Sequence, residues 1–185
     1  MTISCLLGVM ALLTGCGSSN KSSKASSGGT GGSGGCGSQP STQKKLDGLS
    51  VMHHCGNGQA SITFAGSTYT INGGNCQKDA SYLAANMGNT VVDTSASAKQ
   101  RAKIDYLGVL VGRSPAAGAD AEPAGKDGTY TTDLALTAAV GGKIHLLTNA
   151  KLTLSGNRSK GTFEGTDLQP GEEAGGKLTG TFDCG

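Results

Sequence analysis

Apolar and polar positions alternate with a period of two over much of the chain beyond residue 59. Ala60-Ser61-Ile62-Thr63-Phe64 alternates small or apolar with polar side chains, Ala65-Gly66-Ser67 supplies a turn, and Thr68-Tyr69-Thr70-Ile71 resumes the alternation. That pattern predicts a β-hairpin. Asn72-Gly73-Gly74-Asn75 interrupts it just before Cys76, and residues 82–87 form a further short apolar stretch closed by Gly88. Tyr106-Leu107-Gly108-Val109-Leu110-Val111 is apolar throughout, the signature of a central strand. A long loop containing Pro115 and Pro123 leads to Lys126-Asp127-Gly128. Residues 130–140 read as one strand, with Tyr130, Thr132, Leu134, Leu136 and Ala138 on one face, and Gly141-Gly142 turns it into Lys143-Ile144-His145-Leu146-Leu147.

Leu152-Thr153-Leu154 turns through residues 155–159 into Gly161-Thr162-Phe163-Glu164-Gly165. The tripeptide Gly-Thr-Phe recurs at Gly180-Thr181-Phe182, which predicts that the last two strands are sheet neighbours with equivalent phenylalanines turned inward. Residues 95–103 are the one stretch that reads as a helix, and a weak one. Residues 46–185 are long enough for a single domain with its own core. Aromatic residues make up only 4% of the chain and Trp is absent, so that core must be built from Leu, Ile, Val and Ala. The predicted fold is mainly β: an antiparallel β-sandwich or strongly curved sheet, stapled by disulfides, following a signal peptide and a disordered tether.

The N-terminal quarter has a different pattern. Cys5-Leu6-Leu7-Gly8-Val9-Met10-Ala11-Leu12-Leu13 is a short apolar run, far below the roughly 18 to 20 residues that span a bilayer. It ends in Leu13-Thr14-Gly15-Cys16, which reads as a lipobox. Residues 1–15 would then be a lipoprotein signal peptide and Cys16 the lipidated first residue, held by two or more acyl chains because one alone binds only marginally. No Lys or Arg precedes the apolar run, and a start placed downstream of the true one would explain that departure. Residues 16–45 are rich in Gly and Ser and predict a flexible tether. Its r.m.s. span is about 30 Å and its stretched length roughly 95 Å.

Charge divides at the same place. Of the 15 basic residues, Lys21, Lys24, Lys44 and Lys45 precede Asp47, whereas all 13 acidic residues lie at or beyond it. The domain therefore carries 11 basic against 13 acidic side chains and lacks the basic, aromatic-studded face of a nucleic-acid binder. No nucleic acid is expected as partner.

Six cysteines are present. With Cys5 in the signal peptide and Cys16 lipidated, Cys36, Cys55, Cys76 and Cys184 remain, and an even number in an exported chain argues for two disulfides. The expected arrangement joins Cys76 to Cys184, pinning the C-terminal strand to the start of the sheet, and leaves Cys36 with Cys55. Pairing Cys55 with Cys184 or with Cys76 is the alternative.

Met52-His53-His54-Cys55 is the one dense cluster of metal-capable side chains, and Met52, His53 and His54 would suit copper or zinc. Adjacent histidines on an extended strand point to opposite faces, however, and an oxidised Cys55 is no ligand. His145, alternating within an apolar strand, reads as a half-buried sheet residue. No nucleophile elbow, phosphate loop or His-Glu-x-x-His pattern occurs, and the acid pairs Glu172-Glu173 and Asp120 with Glu122 lie in loops. No catalytic residue and no cofactor is expected.

Taken together, the lipobox, Cys16-Gly17-Ser18-Ser19-Asn20-Lys21-Ser22, the low-complexity tether, the early domain cysteine before a hairpin, Leu107-Gly108-Val109, Lys126-Asp127-Gly128-Thr129-Tyr130 and the cysteine next to the C-terminus resemble the mycobacterial lipoprotein-antigen family. The chain departs from it in its extra cysteines (Cys36 and either Cys55 or Cys76), in His53-His54 and in a longer C-terminal loop. The resemblance implies a surface-exposed envelope lipoprotein without enzymatic activity, and only Cys16 carries over as a functional residue. The expected function is a lipid-anchored, extracytoplasmic binding or presentation domain whose partners are the membrane and a lipid, glycan or envelope protein. A metal-binding protein, or an enzyme whose site is assembled from distant residues, is the alternative.

Overall fold

The computed structural model describes Cys36 and residues 38–113, 121–168 and 176–185. The signal peptide, the lipobox with Cys16 and most of the tether lie outside the described residues, as do Asp120 and Glu172-Glu173.

Among the described residues, twelve strands and one helical turn follow one another: β1 Ser41–Leu46, β2 Leu49–His54, β3 Gln59–Phe64, β4 Ser67–Asn72, β5 Gly74–Lys78, β6 Tyr82–Val91, α1 Ala98–Arg101, β7 Tyr106–Gly112, β8 Gly128–Tyr130, β9 Leu134–Val140, β10 Lys143–Ser155, β11 Lys160–Asp167 and β12 Lys177–Asp183. The expectation of a mainly β, antiparallel, disulfide-stapled domain holds. All strand pairs are antiparallel, in the order β1-β2-β6-β7-β9-β10-β11-β12-β3-β4. In addition, β5 pairs with β6 and β8 pairs with β10.

The long strand β10 joins two halves of this sheet. Its first residues, Lys143 to Leu146, pair with β9, and Leu147 to Ser155 pair with β11. Between Thr148 and Lys151 the register slips, with Asn149 at φ 48°, so the strand bends there. Aliphatic side chains from both halves then meet in one core: Leu83, Met87, Leu107 and Val111 from β6 and β7, against Ile62, Leu152, Leu178 and Phe182 from β3, β10 and β12. A smaller cluster of Leu49, Val51 and Ile104 lies under β2.

Several elements differ from the sequence expectation. Residues 130–140 are not one strand, because β8 and β9 pair with separate stretches of β10 and the chain steps between them at Asp133, φ 50°. Thr132, placed by pattern on one face with Leu134 and Leu136, is exposed in that step. The segment 41–45, read as the end of the tether, is most of β1, which lies along β2 from Ser41↔His54 to Leu46↔Leu49. Lys44 and Lys45 are compatible with an edge strand because such a strand needs no apolar face. The expected helix shrinks to α1, one turn capped by a reciprocal Ser97–Gln100 box.

The Gly-Thr-Phe repeat behaves as predicted. In the β11–β12 pair, Phe163 stands opposite Gly180 and Phe182 opposite Gly161, and both rings are buried. Each ring lies over the partner glycine, so a Cβ at either glycine would collide with it. A glycine in these strands is therefore the space a phenylalanine occupies.

Candidate functional site

Every inward position of β3, β11 and β12 is apolar or glycine apart from Asp167, which leaves their outward positions free of packing demands. Those outward positions carry hydroxyls in register. Thr70 pairs with Ser61, Ser61 with Thr181, Thr181 with Thr162, Thr162 with Thr153, and Thr153 with Thr129. This is an unbroken cross-strand row over β4, β3, β12, β11, β10 and β8. A second row runs beside it from Thr68 through Thr63, Thr179 and Glu164 to Lys151. A third row, from Asn72 through Gln59, Asp183 and Lys160 to Ser155, flanks the other side. None of these side chains is buried.

The face has relief and little net charge. A shallow furrow of about 410 Å³ runs over the first and second rows, and one of about 400 Å³ over the first and third; Ser61, Thr162 and Thr181 line both. Neighbouring hydroxyls touch at the ends, Thr129 Oγ1 to Thr153 Oγ1 at 3.0 Å and Thr63 Oγ1 to Thr68 Oγ1 at 3.0 Å. The charges close on one another: Lys160 Nζ lies 2.7 Å from Asp183 Oδ2, and Lys177 Nζ lies 2.7 Å from Glu164 Oε2. These lysines hold both carboxyls below their ordinary range, chiefly through the hydrogen bonds they donate.

The four domain cysteines are joined as expected. Cys36 bridges to Cys55 across 19 residues, and Cys76 to Cys184 across 108, with Cα separations of 6.0 and 5.5 Å. The second bridge links β5 in one half of the sheet to the segment after β12 in the other.

The metal-capable trio is not brought together. Met52 and His54 lie on one face of β2, and His53 lies on the other with Val51. His53 Nδ1 is bound to Asn89 Oδ1 at 2.9 Å and His54 Nε2 to Thr90 Oγ1 at 2.8 Å. Cys55 is in a disulfide, and among the described residues no group of three or more His, Cys, Asp or Glu side chains is placed to hold a metal ion. His54 instead joins a hydrogen-bonded patch with Thr90 and Tyr106, whose Oη donates to Asn86 Oδ1 at 2.7 Å. Burial and the neighbouring His53 hold the His54 pKa below its usual value.

His145 is not half-buried. It has no exposed surface, lies against Phe64 at 4.4 Å between ring centroids with the rings tilted by 52°, and its Nδ1 lies 2.7 Å from Oδ2 of Asp167, itself 2% exposed. The pair is enclosed in the core, where no substrate can reach it. Pattern alone could not reveal it, since the partners are 22 residues apart and Asp167 occupies what alternation marks as an inward apolar position.

Arg158 was also missed. Its Nη1 donates to the carbonyls of Asp79, Tyr82 and Ala124, and its own amide donates to Asp127 Oδ1 at 2.6 Å. Asn157 and Arg158 turn at φ 57° and 59°, and Cys184 N donates to the next carbonyl, Ser159 O. This turn ties three loops to the C-terminal disulfide. The one signal in sequence was Asp127 and Asn157, read there as turn residues.

No family model, curated protein or solved structure matches the chain.

Proposed function

We propose that this protein is a non-catalytic binding module of the bacterial envelope, tethered to a membrane through lipid on Cys16 and exposing the hydroxyl-covered sheet face to its surroundings. The observation that carries this reading is the cysteine accounting: every cysteine beyond Cys16 is consumed in a disulfide. Disulfides persist in oxidising, extracytoplasmic compartments. Cys16, at the end of a short apolar run and before a Gly/Ser-rich segment, is then the thiol available for acylation. No helix among the described residues is long and apolar enough to cross a membrane, so a lipid on Cys16 would supply the attachment.

The binding role rests on the contrast between packing demands inside and free choice outside: outward strand positions need only tolerate water, yet here they form hydroxyl rows lining furrows. Family likeness to mycobacterial lipoprotein antigens favours the same reading. Intact-mass measurement of membrane-extracted protein tests it. The expected species starts at Cys16, carries diacylglyceryl and further acyl mass, and has four cysteines oxidised. A soluble, unprocessed chain with free thiols would overturn it, as would unchanged membrane attachment of Cys16→Ala.

A further inference from the structure

Resting on the reading of an extracytoplasmic binding module, we infer that the hydroxyl face is a docking surface for an uncharged, linear, hydroxyl-rich glycan laid across the strands.

The spacing comes from the sheet itself. Directly paired residues on neighbouring strands repeat every ~4.8 Å, so the row from Thr70 to Thr129 offers six hydroxyls over about 24 Å. One sugar unit of an extended hexose polymer is close to that repeat in length, so successive sugars meet successive hydroxyls, each both donor and acceptor. The neighbouring row at Thr63 and Thr179 stands two residues along the strands, roughly 6.7 Å away, within reach of the same chain's other edge.

Charge selects among polymers. The face pairs its cations with its own carboxylates, Lys160 with Asp183 and Lys177 with Glu164, and Lys151 stands opposite Glu164. It therefore complements a neutral partner. A polyanion or anionic lipid headgroup would meet Glu164 and Asp183 as well as the lysines.

Twist selects against rigid or apolar occupants. Adjacent strands rotate by roughly 20 to 25°, which accumulates to about 100° or more over the row. A flat lattice cannot follow that curve, whereas a chain with a torsional joint at each sugar can. A second copy of the domain packed face to face would have to desolvate hydroxyls and ion pairs, which stacked sheets avoid by using apolar inner faces. A polypeptide would find its backbone partners at the strands that end the sheet order among the described residues, β1 and β4, not on this face.

The test uses the full chain with its disulfides intact and neutral β-1,4- and α-1,4-linked gluco-oligosaccharides of increasing length, with alginate as the anionic control. Binding is read by affinity electrophoresis and by NMR shifts. Affinity is expected to rise with chain length and to level off at about five or six sugars, when the row is covered. It is expected to be insensitive to salt. The double variant Thr162→Val and Thr181→Val keeps shape and β-branching, and should weaken binding about tenfold or more while its circular dichroism and unfolding midpoint stay close to the parent's. Thr137→Val, on the outward face of the other half, should bind as the parent does. Failure of every neutral glycan to bind, retention of alginate alone, or equal affinity of the double variant overturns the inference. So does face-dependent self-association that the double variant abolishes. None of these results touches the mass and localisation test of the envelope-module reading, so the two stand or fall separately.

Discussion

The two halves of the sheet share one core but show solvent different chemistry. Outward positions of β3, β4, β11 and β12 carry Thr, Ser, Gln, Lys and acids in register. Outward positions of β7, β9 and the start of β10 carry Gly108, Leu110, Ala135, Ile144 and Leu146, and Gly108, Leu110 and Ala135 line a furrow of about 330 Å³ with Asn86, Tyr106 and Thr137. Ile144 and Leu146 are 38% and 50% exposed. The inward faces do not explain this difference, since both halves turn aliphatics inward. Folding therefore specifies the inward set and leaves the outward set to function. Threonine suits both demands on one half, because its β-branch favours a strand while its hydroxyl faces out.

The comparison can be broken most directly by releasing the bond between the halves. Removing the Cys76–Cys184 bridge by paired serine substitutions frees a 108-residue separation, and the loop-entropy relation gives a loss of about 5 kcal/mol. Removing Cys36–Cys55, at 19 residues, is expected to lose about 3 kcal/mol. Denaturant unfolding of the two variants should show the first with the lower midpoint.

Next comes the strand that joins the halves. His145→Leu leaves the Asp167 carboxyl in the core without its imidazole and is expected to destabilise by about 3 to 5 kcal/mol. The double variant His145→Leu with Asp167→Leu should recover much of that loss, because an apolar pair can replace a buried polar one. An additive double variant in urea titrations would show that the pair is not coupled.

The hydroxyl half has its own vulnerable point. Gly180→Ala drives a Cβ into the Phe163 ring and the Ser61 carbonyl, and should lower stability by about 1 to 3 kcal/mol. An alanine at Gly142, where nothing stands within 4 Å, serves as a comparison for backbone strain alone at φ 75°.

The smallest effect belongs to the other half. The His54 pKa is lowered in the folded protein from 6.5, so between the two values the unfolded chain binds more protons than the folded one. The stabilisation is complete above 6.5 and declines as pH falls below it toward the folded value. Thermal unfolding followed across that window should show a modest fall in Tm, flattened in His54→Gln.

Much of the fold was legible because alternation and turns are local. The β3–β4 hairpin, β7 as an inner strand, the Gly141-Gly142 turn and the Gly-Thr-Phe pair all followed from local pattern. The strand β1 was hidden, since Ser41-Thr42-Gln43-Lys44-Lys45 has the composition of a linker and becomes a strand only because β2 offers it an edge. The break between β8 and β9 was hidden for a similar reason: both answer to β10, not to each other. At the candidate site, each threonine was visible as an outward residue, but rows are a property of register. Register between β3 and β12 joins residues more than a hundred positions apart.

Sequence by itself determined the period-two pattern, the inward aliphatic set, the four cysteines available for bridging and the segment 1–45 that carries no acidic residue, because each is written in adjacent residues or in composition. Tertiary structure alone decided which thiols meet, that His145 lies against Asp167, that His53 and His54 part company, and that six hydroxyls from six strands stand in one line. The reason is physical: strand pairing and burial are contacts between distant segments, and a chain's local preferences constrain which contacts are possible without choosing among them.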